Sequence, residues 1–215
     1  NSISATSPIC SCCVRHLKIH LMKQTGEFIE NGFAVINGIY SLREVEEILR
    51  VIENTNSDKD TFRKSNDLFA IRQFFKEVTS VSKLVFNVKL ISILKNLFGD
   101  KYYVVKSIYF DKPQSSNWYV SYHQDLTISV DKKLDVEGFR FWTTKKYQFS
   151  VQPTLDILQN IVTIRIHLDD TNENNGALKV VSKSHKKGIY RPETIDWTIE
   201  KEVSCNVEKG GIMLM

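Results

Sequence analysis

The spacing of hydrophobic residues changes from helical to strand-like near residue 100. Before that point, apolar positions recur every three or four residues, which is typical of amphipathic helices. The predicted helices cover about residues 15–31, 42–53 and 84–98. Ser41 and Glu44 have the spacing of a capping box, which favours a helix start at Leu42. The intervening residues 54–67 are polar and predict a loop. The N-terminal part is therefore expected to be mainly helical.

Beyond residue 100, apolar and β-branched residues alternate with polar ones in short segments, which indicates strands. The predicted strands cover residues 102–110, 121–130, 161–168, 177–181, 203–207 and 212–215, together with a short strand at 33–36. Residues 131–155 predict a long, lid-like insertion. Its aromatic residues include Phe139, Phe141, Trp142 and Tyr147. The pattern predicts an α+β fold with a mainly β core, a sandwich or jelly roll braced by N-terminal helices.

Composition is ordinary for a globular chain of 215 residues, with 42% hydrophobic and 25% charged residues. The net charge of +4 comes from scattered Lys and Arg residues, so a nucleic-acid partner is not expected. No apolar run approaches the roughly 18 residues of a membrane span, and no signal peptide is visible. We expect a disordered leader at 1–14, one domain over 15–215, a cytoplasmic location and an unknown oligomeric state.

Both ends of the sequence favour a piece of a longer chain. The sequence does not begin with Met, and it stops inside the predicted strand 212–215. A C-terminally truncated domain is the expectation from the sequence.

Three cysteines, Cys10, Cys12 and Cys13, lie close to His16 and His20 and could form a zinc cluster. Their spacing matches no standard zinc finger, and no second ligand pair follows. Reduced thiols in an intracellular protein, with Cys205 as the fourth, are the favoured interpretation.

His123 and Asp125 are the strongest candidates for chemistry. They lie two residues apart in a predicted strand, so both side chains should point to the same face. An imidazole and a carboxylate are two of the three ligands of the facial triad that binds non-haem Fe(II) and leaves positions open. A His-x-Asp triplet by itself is common, so the pattern remains a hypothesis.

The residues alone do not identify the third iron ligand. The remaining histidines are His16, His20, His167 and His185. His167 and Asp169 form a competing His-x-Asp triplet in an apolar strand, where a structural role is the more frequent one. His185 follows in a charged loop, which is a poor support for a metal ligand.

A set of motifs in this order resembles the phytanoyl-CoA dioxygenase family over roughly residues 25–215. The motifs are Asn31-Gly-Phe-Ala-Val-Ile36, Tyr122-His-Gln-Asp-Leu126, Ile166-His-Leu-Asp-Asp170, Asn174-Asn-Gly-Ala-Leu-Lys-Val-Val181, Ser184-His-Lys-Lys-Gly188 and Lys209-Gly-Gly-Ile-Met-Leu-Met215. The resemblance implies a double-stranded β-helix that uses Fe(II), 2-oxoglutarate and O₂ to hydroxylate a C–H bond of a small molecule. It does not identify the substrate, because one scaffold serves many substrates.

The resemblance implies that His123 and Asp125 are the first two iron ligands and that Gln124 lies near the co-substrate. A carboxylate at position 125 favours hydroxylation, since halogenating oxygenases of this type have a small residue there. The resemblance places Asn175-Gly176 and Ser184-His185 in a structural turn. The distal histidine and the arginine that binds 2-oxoglutarate are expected after residue 215, so the 215-residue chain is expected to be inactive.

Further candidates for contacts with co-substrate or substrate are weaker. Arg165 should share a strand face with Thr163 and His167, and Lys106 and Lys112 flank the strand before the motif. The rival hypothesis is a non-catalytic jelly-roll module that binds a ligand or a partner. Iron uptake by the complete protein separates the two hypotheses.

Overall fold

The computed structural model of the chain describes residues 24–55, 61–65, 68–111, 120–145 and 148–215. The leader predicted at 1–14 and the histidines and cysteines of the possible zinc cluster lie outside these residues, as do Lys112 and Tyr147. Within the described ranges, helices and antiparallel sheets are combined, which confirms the α+β prediction. None of the helices found there is long and apolar enough to cross a membrane.

The helices are α1 (24–31), α2 (Leu42–Glu53), α3 (Phe74–Glu77), α4 (Ser82–Val85), α5 (Val88–Phe98) and α6 (Leu155–Leu158). Short 3-10 turns follow at Thr79–Val81, Ser184–Lys187 and Pro192–Thr194. The strands are β1 (Ala34–Ile36), β2 (Phe62–Ser65), β3 (Leu68–Arg72), β4 (Ile108–Asp111), β5 (Ile128–Val130), β6 (Arg140–Lys145), β7 (Gln148–Gln152), β8 (Ile164–Ile166), β9 (Leu178–Val181), β10 (Glu202–Cys205) and β11 (Ile212–Leu214).

The predicted capping box is present at the start of α2. The Ser41 hydroxyl accepts a hydrogen bond from the Glu44 N–H at 3.3 Å, and the Glu44 carboxylate accepts one from the Ser41 N–H at 2.8 Å. Both bonds satisfy N–H groups that the first turn of a helix leaves unpaired. The apolar side of α2 is buried at Val45, Ile48 and Ile52, as its spacing predicts.

The helix predicted over 84–98 is divided into two. Asn87 caps α5, since its side-chain oxygen accepts a hydrogen bond from the Leu90 N–H at 2.9 Å. Leu84 therefore belongs to α4, and Val88 at the first turn of α5 is 84% exposed. An Asn at this position favours a helix start because its short side chain replaces the missing backbone acceptor.

Two loop predictions are wrong in part. The polar segment 54–67 contains β2, which pairs antiparallel with the more apolar β3, and β4 completes a sheet of order β2-β3-β4. The predicted insertion 131–155 contains β6 and β7, which form a sheet of order β5-β7-β6. Main-chain pairing with a neighbour determines β2 and β6, which give no period-two signal of their own. Strand β7 does alternate, with Phe149 and Val151 between polar residues, and this signal was overlooked in the sequence.

The central sheet has the order β1-β11-β8, with all pairs antiparallel. One of its faces contributes Ile36, Ile212 and Leu214 to a core shared with α2 and α5. The other face presents Met213, which is fully buried against Cys205 and Val207. That second cluster also contacts residues of β9, which pairs with β10. The central sheet is thus covered by helices on one side and by the β9-β10 hairpin on the other.

Candidate active site

His123 and Asp125 lie in an extended segment immediately before β5. Residues 121–127 have no strand assignment, so the predicted strand 121–130 is confirmed only for Ile128–Val130. The predicted alternation is nevertheless present. His123 and Asp125 are exposed, whereas Tyr122, Gln124 and Leu126 are half-buried. The imidazole and the carboxylate therefore leave the backbone on the same, accessible side.

The His123 imidazole is oriented by its own backbone neighbourhood. Its Nδ1 atom lies 2.8 Å from the carbonyl oxygen of Ser121. Because a carbonyl oxygen can only accept, Nδ1 is the donor in this contact, and in the neutral ring the lone pair is then on Nε2. Metal-binding histidines commonly use one ring nitrogen in this way while the other binds the metal. The donor set of His123 and Asp125 thus fits two positions of a ferrous facial triad.

Gln124 points to the opposite side from this pair. Its Nε2 donates to the carbonyl oxygen of Gly188 at 3.0 Å, and its Oε1 accepts from the N–H of Tyr190 at 2.8 Å. The amide attaches the His-x-Asp segment to the loop after the 3-10 turn Ser184–Lys187. The role of Gln124 near the co-substrate stays a prediction. Sequence reasoning missed this contact, because 64 residues separate Gln124 from Gly188.

Tyr122 holds the same segment against β10. Its hydroxyl contacts the carboxylate of Glu202, and its ring lies 5.4 Å from that of Trp197. Glu202 also accepts from Lys179 at 2.8 Å. The Lys179 hydrogen bond, followed by that of Tyr122, holds the pKa of Glu202 below its ordinary value. The side chains of Tyr122 and Gln124 are therefore fixed by the rest of the fold, and His123 and Asp125 on the other side remain accessible to ligands.

Arg165 extends from the face of β8 that carries the second apolar cluster. It is the register partner of buried Met213, which is in turn the partner of Val35. Partial burial lowers the pKa of the Arg165 guanidinium although the residue keeps an exposed surface, and the Asp125 carboxylate acts in the opposite direction. Asp125 is thus near enough to Arg165 for their charges to interact. The structure brings these two sequence candidates into one region.

Thr163 and His167 follow the predicted alternation with Arg165. Thr163 forms two backbone hydrogen bonds with Met215, of 2.7 and 3.0 Å, which extend the pairing of β8 with β11. His167 joins the Gly-Gly turn: its N–H donates to Gly211 at 3.0 Å, and its carbonyl accepts from Gly210 at 2.8 Å. The contacts of Thr163 and His167 thus extend the pairing of β8 with β11 by one residue beyond each end of β8.

The His167 side chain is held inside the fold. Its Nδ1 contacts the hydroxyl of Thr171, and its Nε2 is buried without a hydrogen-bond partner in the described part of the chain. Burial, with a further effect of Arg165, lowers the pKa of His167 to about 4. His167 is therefore neutral near pH 7, and Asp169 beyond it is exposed.

His185 has a structural role in a different place. Its Nε2 donates to the carbonyl oxygen of Ile29 in α1 at 3.1 Å. Lys183 and Lys186 on either side both pair with Glu30, at 2.8 and 2.7 Å. These two hydrogen-bonded lysines lower the pKa of Glu30 to about 2. The turn implied by the resemblance at Ser184-His185 is thus a structural contact with α1.

Lys106 is exposed in the segment before β4, and its contact with co-substrate or substrate stays a prediction. Among the residues that the structure describes, no group of three or more His, Cys, Asp or Glu side chains is placed to hold a metal ion. The aromatic residues of the predicted insertion are divided: Phe141 is 71% exposed, while Phe139 and Trp142 are half-buried.

Comparison with known proteins yields one family. The sequence profile described as Phytanoyl-CoA dioxygenase (PhyH) matches residues 28–215. A probable alpha-ketoglutarate-dependent hypophosphite dioxygenase of Stutzerimonas stutzeri is 22% identical over 188 residues. That alignment covers 81% of this chain and 57% of the relative, so the chain spans little more than half the relative's length.

Solved structures share the fold. HygX from Streptomyces hygroscopicus, with nickel and 2-oxoglutarate bound, superposes with a TM-score of 0.58 at 15% identity, over 90% of this chain and 76% of HygX. The alpha-ketoglutarate-dependent epimerase SnoN from nogalamycin biosynthesis gives a TM-score of 0.52 at 12% identity, over 92% of this chain and 71% of SnoN.

Proposed function

Because the chain belongs to the phytanoyl-CoA dioxygenase family, we propose that it is an Fe(II)- and 2-oxoglutarate-dependent dioxygenase that hydroxylates a C–H bond of a small molecule. The observation that carries this proposal is the pairing of His123 and Asp125 on one accessible side of an extended segment, with the proton of His123 held on Nδ1. The relatives support the cofactors, since one solved structure holds nickel with 2-oxoglutarate and another holds Fe³⁺ with alpha-ketoglutarate.

His123 and Asp125 would hold the iron through Nε2 and a carboxylate oxygen. Ser121 keeps the imidazole in the tautomer that can bind a metal, and Gln124 and Tyr122 keep the segment from rotating. When bound, iron and 2-oxoglutarate supply the activation of O₂ that oxidises the substrate, with 2-oxoglutarate converted to succinate and CO₂. Asp125 would occupy the coordination position that a halide needs, which supports hydroxylation. The relatives include an epimerase and a carbocyclase, so the reaction type belongs to the proposal.

The arrangement of the sheets supports a double-stranded β-helix. The β1-β11-β8 sheet and the β9-β10 hairpin face each other across the cluster of Met213, Cys205 and Val207. Arg165 lies on the same side of the central sheet, and Asp125 interacts with it. The proposed site would thus lie beside the apolar cluster that fills the space between the two sheets.

The test is 2-oxoglutarate-dependent succinate release by the natural full-length protein under Fe(II). Its C-terminus is included because the resemblance implies that a distal histidine and a 2-oxoglutarate arginine follow residue 215. We expect succinate release that the His123→Ala variant loses and that His185→Gln, a matched change in the α1 contact, retains.

A His123→Ala variant that converts 2-oxoglutarate at the normal rate would overturn the proposed site. A full-length protein that takes up no Fe(II) and releases no succinate would instead support the non-catalytic binding module.

A further inference from the structure

Arg165 occupies an unusual place for a charged residue. Its neighbours across the central sheet are Met213, which is fully buried, and beyond it Val35. The cluster that this face builds contains Cys205, Val207 and Met213 with apolar side chains of β9 around them. An arginine among such residues needs an anionic partner or access to water. The exposed surface of Arg165 gives the guanidinium access to water and therefore also to small solutes.

The described residues provide no close anionic partner for this guanidinium. The ion pairs found in those ranges, up to 4.0 Å, do not include Arg165, and Asp125 interacts with it only over a longer distance. Cys205 is a neutral thiol near pH 7, since burial raises its pKa to about 11. His167 is also neutral there. Asp125 is thus the carboxylate whose charge acts on the Arg165 guanidinium.

In the proposed function, the carboxylate of Asp125 binds the iron. A carboxylate that binds a divalent cation no longer compensates a neighbouring guanidinium, because the net charge of the ion and its ligand is positive. The positive charge of Arg165 would then be without compensation beside the site where a small molecule must bind. The planar guanidinium also offers paired N–H donors whose spacing matches the two oxygens of a carboxylate or a phosphorus oxyanion.

We propose that Arg165 binds an oxyanion group of the small molecule that binds beside His123 and Asp125. The proposal rests on the proposed function, because it assigns a substrate or co-substrate group to the same site. Two molecules could supply the oxyanion: 2-oxoglutarate through a carboxylate, or the substrate through an acidic group. In both cases Arg165 determines which ligands the site accepts.

The test measures binding, so that it does not depend on turnover. The full-length protein, loaded with Fe(II) without oxygen, is titrated calorimetrically with 2-oxoglutarate in the first arm. In the second arm, 2-oxoglutarate is saturating and the probes are propionate, methylphosphonate and neutral propionamide. The variants are Arg165→Met, Arg165→Lys and Arg50→Met. Arg50 is exposed at the end of α2, and its replacement controls for the loss of one positive charge.

We expect Arg165→Met to weaken anion binding at least about tenfold in one arm, with propionamide unaffected. Arg165→Lys should give an intermediate loss, since lysine keeps the charge but loses the paired donors. A loss in the first arm identifies 2-oxoglutarate as the oxyanion, and a loss in the second identifies the substrate. Arg50→Met should bind as the wild type does.

The proposal is overturned if Arg165→Met and Arg165→Lys, both folded by circular dichroism, bind every probe as the wild type does in both arms. It is also overturned if the Arg165→Met variant binds propionamide more weakly by as much as it does the anions, since the substitution would then have changed the shape of the site. The proposed function fails separately, through absent succinate release in the wild type. Titration of the metal-free protein with the same anions would then still decide the role of Arg165.

Discussion

The backbone N–H of Tyr190 donates a 2.8 Å hydrogen bond to the side-chain oxygen of Gln124. Together with the bond from Gln124 to Gly188, it joins the segment that carries His123 and Asp125 to a loop far along the chain. Residues 121–127 of this segment form no sheet pairing with the described part of the chain. This amide therefore replaces part of the support that a strand would receive from its neighbours.

We predict that Gln124→Leu lowers the free energy of unfolding by about 1–3 kcal/mol, because two backbone groups lose their partner. Gln124→Glu should also destabilise, since an oxygen would face the carbonyl of Gly188. Urea denaturation measures both, and Gln159→Leu at the exposed end of α6 is the control, with an expected change within about 0.5 kcal/mol. Equal stability of Gln124→Leu and wild type would show that the contact does not support the segment.

The packing of Gly32 against His185 gives a second prediction. A Cβ at Gly32 would lie 2.3 Å from Nδ1 of His185, and the backbone φ of 84° is unfavourable for other residues. Gly32→Ala should therefore destabilise by more than about 1 kcal/mol. Gly26→Ala in α1 meets no atom within 4 Å and should be neutral or stabilising by up to about 1 kcal/mol. Thermal unfolding of the two variants in parallel is the measurement, and a Gly32→Ala variant as stable as Gly26→Ala would contradict the contact.

The buried His167 predicts a dependence of stability on pH. Its folded pKa of about 4 lies below the ordinary value of 6.5, so the unfolded chain takes up the proton first. The contribution of this residue is complete above pH 6.5 and is lost as the pH falls toward 4. Denaturation curves at several pH values should show a smaller loss for His167→Gln than for the wild type over this interval. An identical pH dependence of the two proteins would argue against a buried neutral imidazole.

Local sequence signals were sufficient to predict the structure of those segments whose conformation depends on their own residues. Ser41 and Glu44 form the predicted box, and the alternation around His123 and Asp125 places both on one side although the segment is not a strand. Contacts between distant segments gave no such signal. Strands β2 and β6 take their structure from their neighbours, and the Gln124 amide reaches residues that no spacing rule connects to it. The extended segment also depends on Tyr122 and Glu202, which are 80 residues apart.

The central claim is that His123 and Asp125 together bind ferrous iron. Anaerobic equilibrium dialysis of the full-length protein against Fe(II) tests it most directly, with the His123→Ala, Asp125→Ala and His185→Gln variants beside the wild type. We predict one iron per chain for the wild type and His185→Gln, and an affinity at least about tenfold weaker for each of the other two. Undiminished iron binding by His123→Ala or Asp125→Ala would contradict the claim.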